Sequence, residues 1–114
     1  MKVLIIAGYA GSWPYIPEMI DELIKLHIDV YILDIDEYII FNPALDFKCK
    51  ITPMFNGTDF FKALFIIRLL KKARIDFDIV NMHYIYGFYK YVVLYCKMKK
   101  IKTVATIWGW DFYK

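Results

Sequence analysis

The chain has 114 residues, a hydrophobic fraction of 60% and a formal net charge of +3. This length holds one small domain with a single core, and the apolar content excludes a disordered chain. The charge comes from 15 basic and 12 acidic residues, a balance too mild to predict a nucleic-acid-binding protein. The apolar surplus predicts that a second domain, a partner or a membrane surface covers part of the chain.

The first 34 residues predict one βαβ unit. Residues 3–7 form a continuous apolar run, typical of a buried parallel strand and too short for a signal peptide. A loop containing Gly8 and Gly11 follows, and apolar positions at helical spacing then indicate an amphipathic helix with Pro17 in its first turn. Residues 29–34 are the second predicted strand.

The middle of the chain predicts a long connection and a helix. Residues 35–57 read as irregular, with a short strand expected near Lys50. Thr58 is the predicted N-cap of a helix that runs to about Ala73. This helix is apolar nearly all round, which predicts that it is deeply buried or faces something outside the domain.

The last third continues the alternation of strand and helix. Residues 78–82 predict a strand ending at His83, residues 85–100 a helix and residues 103–107 a last strand. Cys49 and Cys96 lack the spacing of a metal site, so we expect two reduced thiols and no metal. No run reaches the ~18 uncharged apolar residues of a membrane-spanning helix. The sequence therefore predicts an α/β fold with a doubly wound parallel sheet.

Ligands of open parallel sheets bind at the carboxyl ends of the strands. The segments that follow the four predicted strands are residues 8–12, 34–37, 83–87 and 108–111. Gly8 and Gly11 either allow a tight turn or bind a diphosphate through their backbone N–H groups. The acidic group at 34–37 is interpreted as a solvated loop, with a ribose-binding acid as the alternative. His83 is either a structural residue or a site residue, and Asp111 either a helix N-cap or a site residue.

The arrangement of these segments resembles a known family. Family-4-like glycosyltransferases carry the pattern Asp-Val-Ile-x-x-His, a helix, and Pro-Val-Val-x-Thr-x-His-Gly-x-Asp, to which residues 78–113 are similar: DIVNMHYIYGFYKYVVLYCKMKKIKTVATIWGWDFY. Residues 2–34, KVLIIAGYAGSWPYIPEMIDELIKLHIDVYILD, resemble the family's first βαβ unit. Trp108 replaces the family's second histidine, Lys102 replaces its proline, and its paired-glycine loop is reduced to residues 9–11.

The resemblance implies the Rossmann-like N-terminal domain of a GT-B glycosyltransferase, occupying residues 1–114, without the C-terminal donor-binding domain. It implies retaining transfer from a nucleotide sugar to a glycan or lipid-linked acceptor, without a cofactor. His83 would face the transferred sugar. The residues implied to bind substrate lie in the first and last loops: Gly8, Gly11, Ser12, Trp108, Gly109 and Asp111. We expect this chain alone to be inactive, because one wall of the cleft is missing.

Two alternatives stay open: a nucleotide-sugar epimerase of the same fold, and a non-catalytic flavodoxin-like binding domain. The expected partners are the donor, held mostly by the other domain, and the acceptor, but not nucleic acid. Exposed apolar surface also predicts self-association. We expect a cytoplasmic protein, and an aromatic-rich basic surface leaves open a peripheral position at the inner face of the plasma membrane.

Overall fold

The computed structural model describes residues 1–7, 15–53, 57–83 and 87–106. In these residues the chain forms six strands and three helices. The strands are Lys2–Ala7 (β1), Asp29–Asp34 (β2), Ile39–Asn42 (β3), Phe47–Lys50 (β4), Ile79–His83 (β5) and Lys102–Thr106 (β6). The helices are Tyr15–Lys25 (α1), Asp59–Ala73 (α2) and Tyr89–Met98 (α3).

One mixed sheet carries all six strands in the order β4-β3-β2-β1-β5-β6. Strand β1 pairs in parallel with β2 and β5, and β5 pairs in parallel with β6. The prediction that the four apolar strands form one parallel sheet is therefore confirmed. Since these strands point the same way, their carboxyl ends lie along one edge of the sheet.

A hairpin of β3 and β4 extends the sheet beyond β2, and both of its pairings are antiparallel. The prediction of an irregular connection over residues 35–57 was wrong here, although β4 does provide the short strand expected near Lys50. Each strand has only four residues, too few for a clear alternation of apolar and polar positions. Asn42 marks the turn, because its Oδ1 accepts hydrogen bonds from the backbone N–H groups of Ala44 (2.9 Å) and Leu45 (3.2 Å).

The side chains of β1 alternate between two cores. Val3, Ile5 and Ala7 pack with Ile20 of α1 on one face of the sheet. Leu4 and Ile6 are fully buried on the other face, in the core that contains the inner residues of α2 and α3. Helices thus cover both faces, which confirms the doubly wound architecture and explains why β1 is a continuous apolar run.

All three helices are followed by a basic residue in the left-handed backbone region. These residues are His27 (φ 60°), Arg74 (φ 55°) and Lys100 (φ 59°). After α1, the N–H of Ile28 bonds to the carbonyl of Leu23 and the N–H of His27 to that of Ile24, the pair that defines a Schellman motif. The glycine that is common at such helix ends is absent from all three.

Candidate functional site at the carboxyl edge of the sheet

The four parallel strands end at Ala7, Asp34, His83 and Thr106. The sheet register pairs Ala7 with Asp34 and His83 with Thr106, so the strand ends are level. Neighbouring strands are about 4.8 Å apart. The structure therefore brings Asp34 and His83 to one edge, with β1 between them.

Asp34 and His83 also lie on the same face of the sheet. Side chains alternate along a strand, and Ile32 of β2 and Ile79 of β5 both pack in the α1 core. Asp34 and His83, two and four residues further on, therefore project to that face as well. Ala7, which lies between them, belongs to the same core. The three residues form a row, called the carboxyl-edge row below.

His83 is completely buried, with 0% of its surface exposed. Burial lowers the pKa of its imidazole from the ordinary value of 6.5, because desolvation penalises the charged form. The ring is consequently neutral at pH 7, with one nitrogen able to donate a hydrogen bond and the other able to accept one. Residues 84–86, which follow His83 in the sequence, lie outside the described part of the chain.

The backbone of His83 is held by the first turn of α3. The Tyr89 hydroxyl donates to the His83 carbonyl oxygen at 2.9 Å and lies 3.3 Å from the Ile6 carbonyl oxygen. Tyr89 is buried, so one phenol ties α3 to the ends of β5 and β1. Sequence reasoning did not find this contact, because a tyrosine among many aromatic residues gives no signal that distinguishes it from an ordinary core residue.

The side chain of Asp34 stabilises the turn that leads into the hairpin. Its Oδ1 accepts hydrogen bonds from the backbone N–H groups of Asp36 (2.9 Å) and Glu37 (3.4 Å), and the side chain is buried. The interpretation of a solvated acidic loop is correct for Asp36 and Glu37, which are exposed, and wrong for Asp34. Desolvation first, and then the neighbouring charges of Asp34 and Glu37, raise the pKa of Asp36.

A cavity of about 360 Å³ is lined by Asp34 and by residues of the β3–β4 hairpin. Its polar lining comes from four residues, which are Asp34, Asn42, Asp46 and Lys48. Asp34 and Asn42 use Oδ1 to hold their own turns, so these two oxygens are already engaged. The cavity places hydrogen-bonding groups next to the carboxyl-edge row.

Six of the predicted site residues lie outside the described residues, and their roles stay predictions. They are Gly8, Gly11, Ser12, Trp108, Gly109 and Asp111. Gly8 directly follows the last residue of β1, and Trp108 is the second residue after β6. Of the residues predicted to act on substrate, His83 is the one that the described structure places.

The doubly wound Rossmann-like sheet is consistent with a GT-B N-terminal domain. A family model described as glycosyl transferase 4-like matches residues 2–114, and the chain belongs to this family. The match supports a glycosyltransferase function in general. Comparisons with curated proteins and with solved structures gave no match. Within the described ranges, no helix is both long enough and apolar enough to cross a membrane.

Proposed function

We propose that this domain forms the acceptor-side wall of a cleft in which a sugar passes from a nucleotide sugar to a glycan or lipid-linked acceptor. The observation that carries the proposal is the position of His83. It ends an inner strand of the sheet, in a chain whose family match spans residues 2–114. The carboxyl edge is also where open parallel sheets bind their ligands.

In this proposal His83 contacts the transferred sugar. A neutral imidazole can donate a hydrogen bond to a sugar hydroxyl or accept one from it, and it adds no charge to the cleft. Gly8, Gly11 and Ser12 would lie against the donor diphosphate or the acceptor, and Trp108, Gly109 and Asp111 would shape the acceptor side. The C-terminal domain of the GT-B architecture would provide most of the donor contacts, and no metal or cofactor takes part.

Amide chemical-shift mapping by NMR tests the proposal on this chain without requiring turnover. Nucleotide sugars and short glycans are titrated into the labelled protein. We expect shifts at the carboxyl ends of the strands, at Ala7, Asp34 and His83. The matched control positions are the amino ends of the same strands, at Lys2, Asp29 and Ile79, which should stay unchanged. Shifts confined to the amino ends, or none with any of these ligands, would contradict the proposal.

The role of His83 is tested in the enzyme that contains this domain. Because His83 is fully buried, alanine would leave a cavity and lower stability as well as activity. His83→Gln keeps a polar side chain of similar size and is the better variant. Turnover reduced by orders of magnitude with nearly unchanged KM would support direct contact with the reacting sugar. Normal turnover with a lower unfolding free energy would show that His83 is a core residue.

A further inference from the structure

The basic residues of the chain are concentrated on one side of the sheet. Residues 59–74 and 89–100, which contain α2, α3 and their C-terminal ends, carry nine of the fifteen Lys and Arg residues and one of the twelve acidic residues. All nine basic side chains are exposed. Helix α1, on the opposite side, exposes Glu18, Asp21 and Glu22 with one lysine, Lys25. The fold thus gathers most of the cations of the chain on the side of the sheet that α2 and α3 cover.

The same side of the sheet exposes large apolar side chains. Leu94 is 57% exposed and Met98 83% exposed, and their spacing places both on the outer surface of α3. Phe60 and Leu64, spaced by one helical turn, are 47% and 42% exposed on α2. These four residues define the apolar band of the α2–α3 face. Phe60 and Leu64 explain why α2 is apolar on its outer surface as well as on the surface that packs in the core.

Two aromatic contacts join the helices into one surface. The ring of Phe60 on α2 packs edge-on against the ring of Tyr91 on α3, with centroids 5.4 Å apart. Near the other end, the Lys71 ammonium lies 5.9 Å from the centroid of the Tyr95 ring. The helices therefore run side by side, and the surface that they form carries both the apolar band and exposed lysines and arginines.

A basic cavity of about 520 Å³ opens where α2 and α3 end. Four cations line it, Lys71, Arg74, Lys99 and Lys100, together with the single carboxylate of Asp76. Lysine and arginine can donate several hydrogen bonds each to a phosphate group. The cavity provides a site for an anionic headgroup at the border of the α2–α3 face.

We propose that the α2–α3 face docks in the plane of an anionic lipid bilayer. Exposed aliphatic and aromatic side chains flanked by lysines and arginines are the pattern of helices that lie at a bilayer interface. Helix α1 exposes three carboxylates and one lysine, so it offers an anionic surface less attraction than α2 and α3 do. The proposal does not depend on sugar transfer, because it concerns a different surface from the carboxyl edge. Binding of the chain to vesicles can be measured without turnover.

The observations favour a bilayer over two other occupants. A second copy docked through the same face would bring nine basic residues against nine, which opposes association. A nucleic acid would be attracted to the cations, but contact with its phosphates would not bury the apolar side chains of Leu64, Leu94 and Met98. A bilayer interface uses both features, because headgroups attract the cations while the apolar side chains enter the acyl boundary.

Vesicle co-sedimentation tests the proposal with the full chain. Vesicles of phosphatidylcholine, with and without phosphatidylglycerol, are compared at low and high salt. We expect binding to the anionic vesicles, little binding to phosphatidylcholine alone, and weaker binding as salt rises. Leu94→Ser should lower the partition coefficient about tenfold. Lys97→Ser should lower it about fivefold at low salt.

Matched controls come from the α1 side. Leu26→Ser removes a leucine that is 68% exposed, and Lys25→Ser removes a lysine from the last turn of α1, as Lys97→Ser does from α3. Both controls should bind vesicles as the parent chain does. Equal binding to both vesicle types, or equal effects of control and test variants, would overturn the proposal. So would tighter binding to single-stranded RNA, or self-association that Leu94→Ser abolishes in sedimentation experiments.

Discussion

Tyr89 donates a hydrogen bond from its phenol hydroxyl to the backbone carbonyl oxygen of His83, at 2.9 Å. The carbonyl oxygen of Ile6, near the end of β1, lies 3.3 Å from the same hydroxyl. Both carbonyls are at the carboxyl edge, where the parallel ladder stops and its hydrogen-bonding groups need other partners. The position of His83 therefore depends on a residue of α3, and Tyr89 is a positioning residue for the candidate site.

Tyr89→Phe should lower the free energy of unfolding by about 1–2 kcal/mol. The variant keeps the buried ring and removes the hydroxyl, which leaves a carbonyl oxygen without its donor. Urea denaturation of the two proteins measures the difference. The matched control is Tyr91→Phe, because Tyr91 lies on the same helix but is half-buried, with its ring against Phe60. A control as destabilised as Tyr89→Phe would show that the loss does not come from the bond to His83.

The parallel part of the fold could be predicted because its signal is long and regular. Strand β1 is apolar on both faces, and α1 shows a clear helical period. The hairpin could not be found this way, although Asn42 followed by proline is a turn signal. Asp34 was placed at the correct edge, but its bonds to Asp36 and Glu37 depend on burial, which the local sequence does not reveal.

The position of His83 at the carboxyl edge could be predicted, because it follows from strand direction alone. Its complete burial could not, since burial depends on which side chains the neighbouring strands and α3 bring against it. The contact with Tyr89 is missed for the same reason: it joins residues whose relation is set by how α3 returns to the sheet. Topology thus gives the place of a site residue, and tertiary packing gives its accessibility.

His27→Gly should raise the free energy of unfolding by about 1 kcal/mol. His27 has φ 60° at the end of α1, a backbone region that costs an L-residue with a side chain about 1–2 kcal/mol and glycine almost nothing. The greater freedom of glycine in the unfolded chain offsets part of this gain. Thermal unfolding followed by circular dichroism measures the change. His27→Ala, which keeps a Cβ, should show no such gain, and equal stability of both variants would refute the argument.

The two cysteines should differ in reactivity. Burial raises the pKa of the Cys96 thiol to about 11, and 0% of the residue is exposed. Because the thiolate is the reactive form, Cys96 should resist alkylation by iodoacetamide at pH 8 until the protein unfolds. Cys49, half-buried on the edge strand β4, should react first in the native protein. Mass spectrometry of peptides after timed labelling measures the rate at which each cysteine is modified. Early modification of Cys96 would contradict the packing of α3.

Below about pH 6.5, the protein should lose stability on account of His83. Its folded-state pKa lies below the unfolded value of about 6.5, so the unfolded chain binds more protons as the pH falls through this window. The contribution of the neutral ring to the free energy of unfolding is fully present above the unfolded pKa of about 6.5. It is lost at up to about 1.4 kcal/mol per pH unit until the pH reaches the folded pKa.

Denaturation curves between pH 5 and pH 8 test this, with His83→Gln as the variant that removes the titrating group. The chain has two histidines, and His27 is exposed, so a His27→Asn background leaves His83 as the one titrating imidazole. In that background, the protein with His83 should show the steeper fall in stability toward pH 5, because glutamine does not titrate. Parallel curves would mean that the folded protein accepts a charged His83. Its imidazole would then be open to solvent at the carboxyl edge, and the neutral-ring contact proposed for the sugar would lose its basis.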